Sequence, residues 1–204
     1  MPFIDTIAEA GATGATAEMY ARSRETHVYR PNMVMLFGER PDVMAGWNAR
    51  LGAIRGHLDV RRYELVTLAA ARALKSLYCM LAHGSVLMKI ELSADDLRAI
   101  VTGAPEARLT PQEREIMAFA AKIATDASSV TQSDVARLRD MGLSEAEIFD
   151  IAAVAARRCF YSKLLVALGA EPDRAYAAIE PQLRAALTVG RPIAAADAVP
   201  HRPE

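Results

Sequence analysis

Two residues near the middle of the chain combine a reactive type with a reactive spacing. Cys79 and His83 lie within YELVTLAAARALKSLYCMLAHGSVLMK, the stretch from Tyr63 to Lys89. Ser76 reads as the cap of a helix that contains both, which puts Cys79 at the third helical position. There, free N–H groups and the positive end of the helix dipole favour a thiolate over a thiol. His83 follows four residues later on the same face, within reach of the sulfur directly or through one water. An activated sulfur nucleophile needs this arrangement. On residue types alone, a cysteine and a histidine one turn apart serve packing more often than chemistry. As metal ligands they are only two, and His27, His57 and His201 have no evident partners, so a zinc site is not expected.

The elements that must hold these residues are helical. A first helix is predicted from Glu64 to about Leu74, and the helix begun by Ser76 follows it. Upstream, residues 1–15 read as an extended arm and Thr16 to His27 as a short helix. Pro31 to Trp47 reads as two apolar pieces split by Gly38 and Pro41. A helix from about Asp42 to His57 should bury one face formed by Val43, Trp47, Leu51 and Ile54. Downstream there is an internal repeat. LDVRRYE from Leu58 matches LTPQERE from Leu109, and LSADDLRAI from Leu92 matches LSEAEIFDI from Leu143; both pairs are offset by 51 residues (109 − 58 and 143 − 92). Thr110 and Ser144 have Glu113 and Glu147 three residues on, Pro111 fits the first helical position, and Ser93 has Asp96. Two copies of a helical hairpin would cover each other's apolar faces. The last long helix, Glu145 to Leu168, is nearly all apolar from Ile148 to Ala156 and is expected to be buried on most sides.

Composition agrees with an all-α fold. Of 204 residues, 52% are hydrophobic but only 6% aromatic, and nine are Met, so the interior is built mainly from small and unbranched side chains that suit helices. One all-α domain is expected over residues 1–187, with 188–204 as a flexible C-terminal tail. Twenty-four Lys and Arg face twenty-five Asp and Glu, a net charge of −1 without long runs of either sign, which argues against nucleic acid and anionic membranes as partners. With no secretory pattern and no long apolar span, the expected location is cytoplasmic. Two cysteines, Cys79 and Cys159, are too few for a disulfide scaffold. So much apolar residue at so little net charge predicts a homo-oligomer.

The chain resembles the alkylhydroperoxidase D and carboxymuconolactone decarboxylase group, which places a Glu, then eleven residues, then C-x-x-C-x-x-x-H. Counting from Glu64, the motif positions are occupied by Ser76, Cys79 and His83, so three of four match without a gap. Tyr78, just before the matched cysteine, looks like a common choice in peroxidase-related members. The resemblance covers about residues 31–173 and implies an alkylhydroperoxidase D-like helical bundle that assembles as a trimer or hexamer. It implies no cofactor. By it, Cys79 attacks a hydroperoxide, His83 belongs to a proton relay, Glu64 is the acidic end of that relay, and an external thiol is the reductant. Ser76 and Tyr78 are supporting or substrate-binding residues. The corresponding places in the second repeat are Glu115, Val130 and Asp134, so a thiol site belongs to the first copy only.

Two features set this chain's own problem. Glu64 and Cys79 are fifteen residues apart, about 22 Å on a continuous helix at about 1.5 Å per residue, so the chain must fold back or Glu64 must come from a neighbouring subunit. Ser76 also takes the place of the resolving cysteine, and a hydroxyl cannot resolve a sulfenic acid. Three functional readings follow: a thiol-dependent peroxidase with one active cysteine, a carboxymuconolactone decarboxylase-like lyase, and a non-catalytic helical oligomer.

Overall fold

The computed structural model describes residues 2–27 and 30–190; the predicted flexibility of the tail from residue 191 onward lies outside the described residues. Ten α-helices and three short 3-10 turns, without strands among the described residues, form the fold. The helices are α1 Gly14–His27, α2 Asn32–Met35, α3 Pro41–Arg55, α4 Val60–Ala73, α5 Leu77–Ile90, α6 Ala94–Thr102, α7 Pro111–Asp126, α8 Gln132–Asp140, α9 Glu145–Ala167 and α10 Pro181–Leu187.

α4 is the axis of the molecule. Every residue from Tyr63 to Ala71 is buried, because the helix has a core on each side. Leu65, Leu68 and Ala71 join a cluster with α5, α6 and α10. Tyr63, Val66 and Ala69 join another with α7 and α9. The repeat is visible in three dimensions: Asp59 caps α4 and Thr110 caps α7 at equivalent positions, and these two helices pack against each other most extensively. Arg61 donates to Glu113 at 2.5 Å and Arg62 to Glu147 at 2.7 Å, tying the start of α4 to the capping residues of α7 and α9.

The helix starts are set by local chemistry. Ser93, Thr110, Thr131 and Ser144 all form reciprocal capping boxes with the acidic residue three positions on, at ψ values of 166°, 160°, 166° and 162°. Ser76 departs from them. It precedes α5 at ψ 89° and makes no side-chain capping bond, so the expected cap is absent. The reason lies in how α4 stops. Lys75 adopts a left-handed conformation at φ 53°, its N–H bonds Arg72 O at 3.0 Å, and the Ser76 N–H reaches back to Ala71 O at 2.9 Å. That pair of bonds is a Schellman stop. Ser76 therefore closes one helix and opens the next, and its hydroxyl is buried with no hydrogen-bond partner among the described residues. This turn folds α5 back along α4.

Two predicted faces are rotated in the structure. At the start of α3 it is Met44, 6% exposed, that enters the core, while Val43 is 37% exposed; Met44 packs with the cluster that includes α1 and α2. Trp47, Leu51 and Ile54 are partly buried as expected. On α9, Ile148, Ile151, Val154 and Ala155 are buried, but Phe149 is 71% exposed and Ala156 is exposed as well. An apolar helix is thus covered on one side only within a single chain. At the other end of the molecule, Leu183 and Leu187 of α10 are fully buried against α5 and α6, and Val189 still packs on the core.

Candidate active site

The turn at Lys75 and Ser76 brings Glu64 and His83 together within one chain. Glu64 comes from the most buried stretch of α4 and is 2% exposed. His83 lies in the second turn of α5, half-buried, and its Nδ1 is 2.5 Å from Glu64 Oε2. A carboxylate so placed accepts from an Nδ1–H tautomer, which leaves Nε2 as the free base. Burial pushes the His83 imidazole below its ordinary value and the charge of Arg158 adds to this, while Glu64 pulls it up. The net direction is down, so the ring is neutral at neutral pH and able to accept a proton.

Cys79 lies one turn before His83 and is 2% exposed. Its sulfur faces α9. The Ser162 hydroxyl is 3.3 Å from Sγ, and an Nη of Arg158 is 3.7 Å from it. Ser162 and Arg158 are themselves one turn apart on α9, so a single helix face presents both donors. No hydrogen bond joins His83 to Cys79 among the described residues; the two share a helix face at a spacing of one turn. Arg158 also donates to the Tyr63 hydroxyl at 3.4 Å. Its neighbour Arg157 donates to the same oxygen at 3.5 Å and to Trp47 O at 3.3 Å, and its guanidinium lies 3.3 Å from the Trp47 ring centroid.

Both arginines are buried, at 7% and 3% exposure for Arg157 and Arg158. Burial pulls the Arg157 proton affinity down to about 10. Burial also opposes the charge on Arg158, but the facing Cys79 sulfur and the Tyr63 oxygen more than offset it, and the net direction is up.

Tyr78 points elsewhere. Its hydroxyl donates to Asp173 Oδ2 and accepts the Met33 N–H at 3.3 Å, while Asp173 Oδ1 accepts the Asn32 N–H at 2.7 Å. This buried junction fastens α5 to the segment after α9 and to the start of α2. Burial raises the proton affinity of both Tyr78 and Asp173. Cys159 is partly exposed; its thiol bonds back to Ala155 O at 3.6 Å, and burial pushes its proton affinity up. Both cysteines are free. The equivalent region of the second copy is an ion-pair network: Arg137 bridges Glu115 at 2.7 Å and Asp134 at 2.6 Å, and Lys122 joins Asp134 at 2.7 Å. Among the described residues, no group of three or more His, Cys, Asp or Glu is placed to hold a metal ion.

The structure therefore joins Glu64 with His83 and sets Cys79 one turn away on α5, while the Tyr78 hydroxyl bonds Asp173 and the Met33 N–H and the Ser76 hydroxyl is buried without a partner among the described residues. Arg158, Ser162, Tyr63 and Arg157 were not anticipated as site residues. One signal for two of them was present. The buried stripe of α9 passes through Ile151, Val154, Arg158, Ser162 and Leu165, so a charge and a hydroxyl occupy core positions of an otherwise apolar helix.

Comparison with known proteins supports the fold directly. The chain is similar to the alkylhydroperoxidase D core of an uncharacterized peroxidase-related protein from Ralstonia eutropha JMP134, with a TM-score of 0.77, 22% identity and coverage of 86% of this chain and 94% of that one. An uncharacterized peroxidase-related protein from Silicibacter sp. TM1040 gives 0.77 at 19% identity, covering 87% and 94%. The debrominase Bmp8 gives 0.71 at 15% identity, covering 89% and 96%. No curated protein matches. The fold is thus an alkylhydroperoxidase D-like helical bundle. The carboxymuconolactone decarboxylase family model matches twice, over residues 41–105 and 102–170, once for each copy of the repeat. On that doubled match, the chain belongs to the carboxymuconolactone decarboxylase family.

Proposed function

We propose that the protein is a thiol-dependent peroxidase that reduces a hydroperoxide at Cys79. The observation that carries this reading is the Glu64–His83 pair at 2.5 Å, one turn from a cysteine whose sulfur faces two hydrogen-bond donors. His83, held as the Nδ1–H tautomer by Glu64, takes the Cys79 proton on Nε2, and Glu64 stabilises the imidazolium that forms. The sulfur then attacks the terminal oxygen of the hydroperoxide. The S–O bond forms as the O–O bond breaks, and the departing alkoxide takes the proton from His83, leaving a sulfenic acid and an alcohol. With Ser76 at the resolving position, an external thiol attacks the sulfenic sulfur and expels water. A second thiol then attacks the mixed disulfide and returns Cys79 to its reduced form.

The family match keeps a lyase reading in play, and one experiment separates the two. Peroxide consumption with an added dithiol, lost in Cys79→Ser, supports the peroxidase. Turnover of a carboxylated lactone that survives Cys79→Ser, with no peroxide consumption by the parent, replaces it with the lyase. A homo-oligomer belongs to the same proposal, because Phe149, Ala156 and Phe160 leave an apolar face of α9 uncovered within one chain. No helix among the described residues is long and apolar enough to cross a membrane.

A further inference from the structure

We propose that Arg158 is a catalytic residue of this centre, acting with Ser162 to hold negative charge on the Cys79 sulfur, and that Tyr63 and Arg157 are positioning residues for its guanidinium. The inference rests on Cys79 being the nucleophile, but not on the identity of its substrate.

Three observations carry it. The first is donor count. Sγ receives the Ser162 hydroxyl at 3.3 Å and an Arg158 N–H at 3.7 Å, and two converging donors suit a sulfur that only accepts. The second is isolation. Arg158 is 3% exposed, and its described partners are Cys79, the Tyr63 hydroxyl and the rings of Trp47 and Tyr161; no carboxylate pairs with it or with Arg157 among the described residues. A buried cation needs a compensating anion. Glu64, a buried carboxylate on α4, is engaged by His83.

The third observation is the local charge balance. The titratable and charged groups of this network are Tyr63 and Glu64 from α4, His83 from α5, and Arg157, Arg158 and Tyr161 from α9. Two buried guanidinium groups stand against the single carboxylate of Glu64, so negative charge that develops on the sulfur as its proton moves to His83 meets an excess of positive charge. The braces are equally specific. Tyr63 oxygen accepts from both guanidiniums, and Arg157 is clamped on the Trp47 ring and carbonyl, which leaves Arg158 little freedom to turn from Cys79.

A guanidinium kept only for packing makes a different prediction from one kept for chemistry. Arg158→Met keeps a side chain of similar length and removes the charge, and a sulfur left without its partner holds its proton instead of becoming a buried anion, so the variant is expected to fold while losing reactivity. The readout is the rate at which iodoacetamide alkylates Cys79 across a pH series, resolved from Cys159 by peptide mass, together with the ultraviolet thiolate absorbance that Cys79→Ser removes. Arg158→Met should slow Cys79 alkylation at neutral pH roughly tenfold or more, the range lost with a charge-assisted hydrogen bond, and move its pH profile upward. Cys159 should be unaffected. Arg158→Lys should recover part of the rate, and Ser162→Ala should lose less than Arg158→Met. Parent rates and an unshifted profile in folded Arg158→Met overturn the proposal. Should that variant not fold, parent rates in both Arg158→Lys and Ser162→Ala overturn it equally. Because no peroxide is used, an Arg158 effect in a protein that consumes no peroxide sinks the peroxidase reading and leaves this one standing.

Discussion

Glu64→Gln is the most informative single change to the relay, because it keeps the shape of the side chain and removes its charge. The amide oxygen still accepts from His83 Nδ1–H, so the tautomer is retained, while the carboxylate that stabilises the imidazolium is gone. The bond in question is 2.5 Å long and its acceptor is 2% exposed, which places it among the stronger hydrogen bonds, worth about 1.5–3 kcal/mol. At about 1.36 kcal/mol per tenfold in rate, single-turnover oxidation of Cys79 by excess hydroperoxide should slow by roughly 10- to 150-fold. The pH dependence of stability follows from the same pair. His83 sits below its ordinary value of 6.5 because of burial first and the Arg158 charge second, opposed by Glu64. The unfolded chain therefore takes up this proton at higher pH than the folded one. Stability from this group is complete above the unfolded value and is lost as pH falls toward the folded value. In Glu64→Gln the carboxylate charge that opposes the lowering is gone, so the loss on acidification should be larger than in the parent. Oxidation within twofold of the parent rate, measured by thiol loss at Cys79 in stopped flow, would refute the relay.

Three further outcomes are expected. Ser76→Cys should fold with unchanged or raised Tm, because the hydroxyl it replaces is buried and unbonded and leaving such a group unsatisfied costs about 1–3 kcal/mol; after peroxide it should carry a disulfide between the introduced thiol and Cys79 and show higher dithiol-dependent turnover, and a folded variant with neither counts against a sulfenic acid at Cys79. Tyr78→Phe removes the donor to the buried Asp173 and the acceptor for Met33 N–H, so calorimetry should find a loss of about 1–3 kcal/mol with unchanged activity per folded molecule; loss of activity at full stability would place Tyr78 in the chemistry instead. Light scattering should report a mass above the 22.1 kDa of one chain, and Phe149→Asp should shift it toward the monomer, since Phe149 is 71% exposed and burying such a side chain gives about 1.5–3 kcal/mol; a parent that is monomeric at micromolar concentration excludes the assembly.

What could be read in the sequence was local. Thr110 with Pro111 and Glu113, Ser144 with Glu147, and Ser93 with Asp96 mark helix starts that need only three residues to form, and all three boxes are present. The Cys79–His83 face was legible for the same reason, being one turn of one helix. Ser76 looked like a cap because its residue type is right; the Schellman stop of α4, with non-glycine Lys75 in the left-handed conformation, leaves its hydroxyl buried without a capping bond, and no residue pattern announced that. The pairing of Glu64 with His83 came from the family spacing, since periodicity alone could not fold α5 back on α4. Arg158 and Ser162 reach Cys79 across 79 and 83 residues of sequence, a tertiary contact with no local signature. The exposed side of α9 was missed because an apolar helix looks the same in sequence whether its own chain or a second subunit covers it.

The central claim is that Cys79 is the atom oxidised by peroxide, and the state of its sulfur tests that most directly. Protein treated with one equivalent of hydroperoxide in the absence of thiol should gain the mass of one oxygen atom, converted by a carbon nucleophile to a stable adduct that peptide mapping places on Cys79. Cys79→Ser should show neither. An unchanged intact mass in the parent, or an adduct confined to Cys159, would contradict the account.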